Sequence, residues 1–460
     1  MKRTLAEFAR LCGSRLNGAD ASYGDVVTDS RTLQPGQLFV ALRGPNFDGH
    51  DFVAAAHAAG AAGALVDTRQ DMALPQIVVA DTQAALARAA RAWRAAFTGP
   101  VIGVAGSNGK TTTKEMTAAI LGRAGNTLAT RGNLNNHIGV PLTLLRLTPE
   151  HRFAVVEMGA NHAGEVAALA QIAQPSVGMI TNAGAEHLEG FGSLEGVARA
   201  EGEMVAELGD RATAVINADD EFASLWRGLT RARVVTFGAR APADFSAAEV
   251  RTTVGAAGFR THFTLASPQG SAAIELAVGG AHNISNALAA AAAAASAGAS
   301  LEHITAGLAA VRAVPGRLQF RQARSGAWVI DDSYNANPSS VHAAIDVLAS
   351  LAGRRWLVLG DMAELGTFAE EAHAEIGEFA RARGIERLYA TGPLMERAVA
   401  SFGAGALWFA DVSALGGALT QALATGGGEV RMLIKGSRFN RLERVVMALT
   451  GDSGPYTGGH

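Results

Sequence analysis

The chain contains a single cysteine, Cys12, among its 460 residues. One cysteine excludes an internal disulfide framework and is typical of a protein in a reducing cytoplasm. Long apolar runs are missing as well. Glu7, Arg10 and Arg15 interrupt the N-terminal segment, which therefore lacks the apolar region of a signal peptide, and no other stretch is long enough to span a bilayer. The sequence predicts a cytoplasmic protein without membrane insertion.

An excess of charge of either sign is also absent. The 39 basic and 42 acidic residues leave a formal net charge of −3, which provides no basic surface for nucleic acid or an anionic membrane. We therefore expect small molecules as partners. Only four basic residues are lysines, and two of these, Lys110 and Lys435, lie beside glycine. This placement suggests that a compact ammonium group is needed there, although chance is the alternative.

The length of the chain predicts about three domains of ~150 residues each. Thr98-Gly99-Pro100 and Val314-Pro315-Gly316 are breaker signals that we interpret as boundaries. The expected domains are residues 1–98, 99–314 and 315–460, the last of which is predicted to be a doubly wound, Rossmann-like α/β domain.

Short β-rich runs alternate with helical stretches along the chain, which is typical of an α/β fold with mostly parallel sheets. The strands are predicted at residues 37–42, 64–66, 77–79, 101–105, 153–158, 178–182, 214–217, 234–237, 328–331, 356–359, 387–391 and 431–434. Residues 244–278 alternate apolar and polar side chains and predict an antiparallel flap on the central domain. The alanine run 287–295 predicts a packed helix.

The strongest motif is residues 101–113, an apolar strand followed by a glycine loop and a helix-forming run, V-I-G-V-A-G-S-N-G-K-T-T-T. Backbone N–H groups of such a loop surround phosphate oxygens, Lys110 reaches the terminal phosphates, and Thr111 can ligate Mg²⁺. The loop is a variant of the strict pattern, because Val104 occupies the first glycine position and Gly106 is supplied instead. The alternative is a glycine turn that only connects a strand to a helix.

Polar residues that follow predicted strands are the next candidates, because ligands bind beyond the carboxyl ends of strands in α/β sheets. Glu157 is predicted to ligate Mg²⁺ beside the phosphate loop, with a solvated or capping role as the alternative. His187 is equally compatible with metal or phosphate binding and with a structural role. In the last domain, Asp331 and Asp332 lead into S-Y-N-A-N-P, which suits ribose binding or helix capping.

These segments occur in an order that resembles the Mur ligase family along the whole chain. The segments that carry the resemblance are Asp29-Ser-Arg31, Pro35-Gly-Gln-Leu-Phe-Val-Ala41, Phe47-Asp-Gly-His50, Gly106-Ser-Asn-Gly-Lys-Thr111, Asn135-Asn-His-Ile-Gly-Val-Pro141, Glu157-Met-Gly159, His187-Leu-Glu-Gly-Phe-Gly192, His282-Asn-Ile-Ser-Asn286, Pro315-Gly-Arg317, Asp331-Asp-Ser-Tyr-Asn-Ala-Asn-Pro338 and Lys435-Gly-Ser-Arg438.

The resemblance implies an ATP- and Mg²⁺-dependent ligase of the cytoplasmic stage of peptidoglycan synthesis, which serves cell wall biogenesis, cell shape and cell division. Within the family, residues 331–338 favour the type that adds D-alanyl-D-alanine to UDP-N-acetylmuramoyl-tripeptide through an acyl phosphate. We expect a monomer whose first domain holds the uridine nucleotide and whose third domain closes over the central ATPase.

The resemblance also implies roles for individual residues. Those expected to take part in catalysis are Lys110, Glu157 and His187. Those expected to bind ATP are Gly106, Ser107, Asn108, Gly109, Lys110, Thr111, Thr112, Asn283, Asn286, Arg317 and Asp331. Those expected to bind the two other substrates are Ser30, Arg31, Asp48, Gly49, His50, Asn135, Asn136, Asn335, Asn337, Lys435 and Arg438. Those expected to hold Mg²⁺ are Thr111, Glu157, His187 and Glu201.

Glu201 marks a departure from the family, which often has a carbamoylated lysine at this position. Glu201 already carries a carboxylate, on a shorter stem, so it is kept as a metal-site candidate. Three other functions fit parts of the sequence. They are a ligase that adds a single amino acid or extends folylpolyglutamate, a regulatory or motor P-loop protein that turns over ATP without an amine, and a non-catalytic module that binds a sugar nucleotide.

Overall fold

The computed structural model describes residues 3–186, 188–255, 258–424 and 427–452. Its strands form three main sheets, of five, nine and six strands, together with one two-stranded hairpin. The three-domain α/β architecture expected from the sequence is confirmed. The boundaries at residues 98 and 314 stay a prediction, although no helix or strand in the described ranges crosses either position.

The first domain has a five-stranded sheet in the order β1-β7-β6-β3-β2, in which β1 is antiparallel to β7 and the other pairs are parallel. Its elements are α1 (Leu5–Leu11), β1 (Leu16–Asn17), β2 (Val26–Val27), β3 (Leu38–Val40), β4 (Arg43–Gly44), β5 (Phe47–Asp48), α2 (Val53–Ala58), β6 (Gly63–Val66), β7 (Gln76–Val78) and α3 (Thr82–Ala95). The strands β4 and β5 form the separate hairpin.

The central domain contains the nine-stranded sheet, in the order β16-β15-β14-β13-β12-β11-β8-β10-β9. Its elements are β8 (Val101–Ala105), α4 (Lys110–Ala124), β9 (Thr127–Ala129), α5 (Gly139–Leu144), β10 (Phe153–Glu157), α6 (Glu165–Ala173), β11 (Val177–Ile180), α7 (Leu188–Phe191), α8 (Leu194–Ala206), β12 (Thr213–Asn217), α9 (Ala223–Leu229), β13 (Arg233–Gly238), β14 (Phe245–Gly255), β15 (Gly258–Ser267), β16 (Gly270–Leu276), α10 (Ala281–Ser296) and α11 (Leu301–Ala310). The strands β14, β15 and β16 pair antiparallel and form the predicted flap.

The third domain has a six-stranded sheet in the order β17-β18-β22-β19-β20-β21, parallel except for β17. Its elements are β17 (Gln319–Gln322), β18 (Trp328–Asp332), α12 (Pro338–Ala349), β19 (Arg354–Gly360), α13 (Ala369–Ala382), β20 (Arg387–Thr391), α14 (Met395–Phe402), β21 (Ala406–Phe409), α15 (Val412–Leu423), β22 (Val430–Lys435) and α16 (Glu443–Thr450). Short 3-10 turns lie at Gly49–Phe52, Gly366–Phe368, Gly427–Glu429 and Arg438–Asn440.

Alanine makes close helix packing possible in the central domain. The residues of α10 from Ala287 to Ala294 are fully buried, and α10 packs against α4 and the central strands. Side chains this small allow backbones to approach closely and leave few voids. Within the described ranges, no helix combines the length and the apolar character needed to cross a bilayer.

Sequence patterns located the buried strands within one or two residues, and 101–105 and 387–391 coincide with β8 and β20. The edge strands β9, β17 and β21 were not predicted. They are three or four residues long and carry partly exposed side chains, so they are too short to show a clear periodic pattern.

Candidate active site

Two glycines shape the loop between β8 and α4. Gly106 has a φ of +120°, and a Cβ added to it would lie 2.1 Å from Thr181 Oγ1. Gly109 has a φ of +81°, and its added Cβ would lie 2.3 Å from Asn286 Oδ1. Both positions combine left-handed backbone with a close approach, so only glycine fits.

Two residues that directly follow the neighbouring strand β11 hold the loop in place. The Ser107 and Asn108 backbone N–H groups donate to the main-chain oxygen and the side-chain oxygen of Asn182, at 2.9 and 3.0 Å. The Asn108 carbonyl accepts hydrogen bonds from the Thr181 hydroxyl at 2.7 Å and the Asn182 amide at 2.9 Å. Parallel pairing of β8 with β11 places these residues together.

Lys110, the first residue of α4, folds back over the loop. Its ammonium group donates to the carbonyl oxygens of Gly106 and Ser107, the latter at 2.9 Å, and to Glu186 Oε1 at 3.1 Å. These three bonds account for all three N–H donors of a lysine. A phosphate that binds Lys110 must therefore replace one of these acceptors.

The surroundings of Lys110 are strongly acidic. Burial by itself would lower the pKa of Lys110, but the negative charges of Glu186, Glu201 and Glu157 outweigh burial and raise that pKa. One ammonium faces three buried carboxylates. The carboxylates outnumber the ammonium group, so this region carries excess negative charge and suits a bound cation.

The start of α4 faces the same space. The first N–H groups of the helix, at Lys110, Thr111 and Thr112, have no intrahelical acceptor, as at the start of any α-helix. Together with the partial positive charge of the helix N-terminus, they form an anion site. This arrangement fits a triphosphate.

Glu157 ends β10, which pairs in parallel with β8. Its Oε1 accepts hydrogen bonds from the Thr111 hydroxyl at 3.2 Å and the Asn135 amide at 2.9 Å. Its Oε2 is buried without a hydrogen-bond partner. An unpaired buried carboxylate oxygen beside a threonine hydroxyl fits a divalent cation.

Glu201 lies on α8, and its Oε2 accepts the Gly106 N–H at 2.6 Å. Burial raises the pKa of Glu201 to about 7, against the opposing effect of Lys110. In the described ranges, no three His, Cys, Asp or Glu side chains lie close enough together to hold a metal by themselves. His187, the remaining metal and catalytic candidate, lies outside the described residues.

The third domain reaches the loop through Asn337 and Arg317. Asn337 caps α12 with its side-chain oxygen, and its amide nitrogen lies 2.9 Å from Asn108 Oδ1 and 3.2 Å from Glu186 Oε2. Arg317 donates to the Thr111 hydroxyl at 3.0 Å. Two of the predicted third-domain residues therefore contact the phosphate loop directly.

Asn283 and Asn286 lie in the first turns of α10, and both are buried. The Asn283 amide donates to the Gly279 carbonyl at 2.7 Å, and the Asn286 amide donates to Asn283 Oδ1 at 3.1 Å. Because Asn286 Oδ1 lies against Gly109, these side chains border the phosphate loop.

Asp331 and Lys435 are engaged inside the third domain. Asp331 is fully buried and accepts the Ser333 hydroxyl at 2.6 Å, while Asn337 of the same motif is the residue that caps α12. Lys435 donates to Asp332 at 2.7 Å and to the Asn335 carbonyl at 2.8 Å.

The other residues predicted to bind substrates are spread over several surfaces. Arg438 has a side-chain exposure of 45% and lies 3.5 Å from Glu443. Asn335 is exposed. Asn136 is exposed too, and its side-chain oxygen accepts the N–H groups of Ile138 and Gly139 at the start of α5. Arg438 and Asn335 are therefore open to solvent in the third domain, as Asn136 is in the central domain.

Predicted uridine-site residues form hydrogen bonds within the first domain. Arg31 pairs with Asp29 at 2.7 Å. Asp48 accepts from His50 Nδ1 at 2.6 Å, while His50 Nε2 accepts the Asp67 N–H at 3.0 Å. Gly49 and Ser30 lie in the same two segments, where an added Cβ on Gly49 would lie 2.6 Å from Leu42 backbone.

Sequence reasoning missed Glu186 and Tyr334. Glu186 follows β11 and precedes His187, so its position after a strand could have singled it out. Tyr334 is part of a motif that was quoted, but only the structure shows the Arg317 guanidinium 4.3 Å from its ring centre.

Comparison with family models gives three matches in chain order. The Mur ligase family catalytic domain matches residues 22–94, the Mur ligase middle domain matches 104–294, and the Mur ligase glutamate ligase domain matches 316–438. Together these matches span the three sheets.

Curated relatives and solved structures resemble the chain over nearly its whole length. UDP-N-acetylmuramoyl-tripeptide--D-alanyl-D-alanine ligase of Escherichia coli (strain K12) is 46% identical over 97% of this chain and 98% of the relative. The enzyme of that name from Haemophilus influenzae is 37% identical over 98% of both chains.

Crystal structures of MurF show the same arrangement. MurF from Acinetobacter baumannii is 35% identical, with a TM-score of 0.90 over 97% of this chain and 98% of that chain. MurF ligase from Thermotoga maritima in complex with ADP is 27% identical, with a TM-score of 0.79 over 92% and 96%. With these similarities along its full length, the chain belongs to the Mur ligase family.

Proposed function

We propose that this chain is an ATP-dependent, ADP-forming ligase that joins D-alanyl-D-alanine to UDP-N-acetylmuramoyl-tripeptide in the cytoplasmic stage of peptidoglycan synthesis, acting as a monomer. Relatives 46% and 37% identical over nearly the whole chain carry the name of this activity. A solved relative that is 27% identical holds ADP. Similarity of this extent supports the same substrates.

The contact set around Lys110 is the observation that carries the proposal. One phosphate loop is contacted by a central-domain carboxylate, Glu186, and by the third-domain residues Asn337 and Arg317. A simple P-loop protein has no need for such contacts from a separate domain. A ligase does, because its second substrate must reach an activated acid at the terminal phosphate.

In the first step, a carboxylate oxygen of the tripeptide attacks the γ-phosphorus of ATP. The bond from that phosphorus to the β–γ bridging oxygen breaks, and ADP leaves with its electrons. Lys110 exchanges Glu186 for phosphate oxygens and stabilises their charge in a site shielded from water. The product is an acyl phosphate.

In the second step, the amine nitrogen of D-alanyl-D-alanine attacks the acyl carbon. The tetrahedral intermediate collapses, the carbon–oxygen bond to phosphate breaks, inorganic phosphate leaves and the nitrogen releases one proton. Asn337 keeps the third domain against the loop during this step, which excludes water from the acyl phosphate.

Thr111 and Glu157 would hold Mg²⁺, since the Thr111 hydroxyl donates to Oε1 of the same carboxylate whose Oε2 is unpaired. Glu201 would add a carboxylate on the other side of the loop, next to Gly106, and His187 completes the proposed set. Bound there, Mg²⁺ would neutralise charge on the transferring phosphoryl group. Arg317, which donates to Thr111, would then turn towards phosphate.

The remaining site residues keep the roles implied by the family. The residues proposed for the uridine nucleotide are Ser30, Arg31, Asp48, Gly49 and His50. The residues proposed for the tripeptide and dipeptide are Asn135, Asn136, Asn335, Asn337, Lys435 and Arg438. The residues proposed for ATP beyond the loop are Asn283, Asn286, Arg317 and Asp331.

The decisive experiment measures phosphate release from ATP with UDP-N-acetylmuramoyl-tripeptide, with and without D-alanyl-D-alanine. We expect sustained release only with both substrates, and an amide product of matching mass. Release that ignores the dipeptide but responds to a free amino acid would favour a sibling ligase. Release without any amine would favour a P-loop protein of another class.

Amino-acid substitutions test whether this activity depends on the site around the phosphate loop. Glu157→Gln should lower turnover by about 100-fold or more, because a charged oxygen beside the phosphate loop is lost. Glu165→Gln is the matched control, since Glu165 is a partly exposed glutamate at the start of α6. Equal activity of the two variants would contradict the assignment of Glu157.

A further inference from the structure

Lys114 is a fully buried lysine that the proposed mechanism does not use. It lies on α4 one turn after Lys110, and its side chain has 0% exposure. Lysine is almost never fully buried unless it is paired. Because the whole chain has only four lysines, this one needs an explanation.

The Lys114 ammonium group has two hydrogen-bond acceptors. It donates to the Thr130 carbonyl at 2.8 Å and to Glu115 Oε1. Glu115 keeps 46% of its side chain exposed, and ion pairs to exposed partners contribute little. The bond to the Thr130 carbonyl is therefore the structural reason for the buried charge.

Stability alone does not account for Lys114. Taking an ammonium group out of water costs several kcal/mol, and replacing a buried ion pair by apolar side chains of similar size is often neutral or stabilising. Methionine has a similar length and would pack in the same space. What methionine lacks is a donor for the Thr130 carbonyl.

Thr130 lies where the chain leaves the edge strand β9 and enters the loop that leads to Asn135. The Thr130 N–H donates to the Val155 carbonyl, and the Thr130 hydroxyl accepts the Glu157 N–H, both at 3.0 Å. The Asn135 carbonyl accepts the Gly159 N–H at 2.9 Å. The Thr130 side chain therefore holds the backbone N–H of Glu157.

We propose that Lys114 is a positioning residue that fixes Thr130 and, through it, the carboxylate of Glu157. The connection runs from the Lys114 ammonium to the Thr130 carbonyl, from the Thr130 hydroxyl to the Glu157 N–H, and from Glu157 Oε1 to Asn135 and Thr111. This inference rests on the proposed function, in which Glu157 binds the divalent cation.

The test compares Lys114→Met with the unchanged protein, using Mn²⁺ as the probe. Affinity for Mn²⁺ is measured in the presence of ADP from the electron paramagnetic resonance signal of the free ion. We expect Lys114→Met to bind Mn²⁺ about tenfold or more weakly, the range seen when residues that orient a metal ligand are changed. Its melting temperature should be equal to or higher than that of the unchanged protein.

A second readout follows the proposed connection itself. Hydrogen exchange of the peptide covering β10 should speed up in Lys114→Met, because the Glu157 N–H loses a fixed acceptor. Glu115→Gln is the matched control: it removes the ion pair but keeps the bond to Thr130, and it should leave the affinity for Mn²⁺ within about twofold.

Two further variants keep the inference testable. If Lys114→Met does not fold, Thr130→Val removes the hydroxyl acceptor with Lys114 intact and should weaken Mn²⁺ binding similarly. If both fold, their effects should be less than additive, because they break one connection. Unchanged affinity in either folded variant overturns the inference, and so does an equal loss in Glu115→Gln.

Glu157→Gln separates this inference from the function on which it rests. If that variant binds Mn²⁺ as tightly as the unchanged protein, the assignment of the cation site itself is wrong. If Glu157→Gln loses binding while Lys114→Met does not, only the positioning role is wrong.

Discussion

The amide nitrogen of Asn337 lies 2.9 Å from the side-chain oxygen of Asn108, although 229 positions separate the two residues in the chain. Asn108 belongs to the phosphate loop, and Asn337 is the N-cap of α12 in the third domain. The same amide group also contacts Glu186, which pairs with Lys110. The position of the third domain is thereby linked to Lys110, the residue proposed to bind the terminal phosphate.

Asn337→Asp should separate the two roles of Asn337. Aspartate caps a helix as well as asparagine does, so the melting temperature should change little. The variant loses both N–H donors and puts a carboxylate beside Glu186, so we expect kcat/KM for ATP to fall about tenfold or more. Asp411→Asn, at the N-cap of α15, is the control and should keep full activity. A normal kcat/KM in Asn337→Asp would mean that the contact with the loop has no role.

Lys110→Ala should reduce phosphate release by about a thousandfold or more, because the ammonium group that folds over the loop beside Glu186 is lost. Circular dichroism should show that the fold is retained. Lys110→Arg should also be inactive, since a guanidinium does not fit the compact space between two carbonyls. Arg123→Ala, exposed on the same helix, serves as the control. Activity retained in Lys110→Ala would overturn the site assignment.

Tyr334 should support ATP binding through its ring. The Arg317 guanidinium lies 4.3 Å from the ring centre and donates to Thr111. Tyr334→Phe keeps this surface and should behave as the unchanged protein does. Tyr334→Leu removes the stacking partner, and KM for ATP should rise about fivefold. Equal KM values for the two variants would show that stacking does not hold Arg317.

The raised pKa of Glu201 predicts that the stability of the protein without nucleotide or metal depends on pH. Burial raises the pKa of Glu201 to about 7 from its ordinary 4.5, so the folded state holds this proton more tightly than the unfolded chain does. The protonated Glu201 therefore stabilises the folded state fully below pH 4.5, the ordinary pKa, and this stabilisation is lost as the pH rises through about 7. Between these two pH values the free energy of unfolding should fall by about 3 kcal/mol.

Glu201→Gln removes this titration while keeping an oxygen that can accept the Gly106 N–H. The melting temperature of Glu201→Gln relative to the unchanged protein should therefore increase from pH 4.5 to pH 8. Differential scanning calorimetry in the presence of a chelator measures this difference in melting temperature. A difference that stays constant across this range would show that Glu201 has an ordinary pKa.

Several parts of this protein follow from local sequence alone. The strand, loop and helix at residues 101–124 could be predicted because a buried apolar run, two glycines and a helix former are neighbours in the chain. The same holds for Glu157, since the end of a parallel strand beside the loop is a predictable place. The antiparallel flap followed from its alternating pattern.

The contacts that complete the site depended on the tertiary structure. Three hydrogen bonds are examples: Lys110 to Glu186, Asn337 to Asn108, and Lys114 to the Thr130 carbonyl. They form only because sheet order and domain docking bring separate segments of the chain together. Local patterns record which face of an element is apolar, but they do not record which polar partner a buried donor finds across the fold. The sequence by itself therefore determined the phosphate loop and the three-domain α/β class, while packing decided which charges surround that loop.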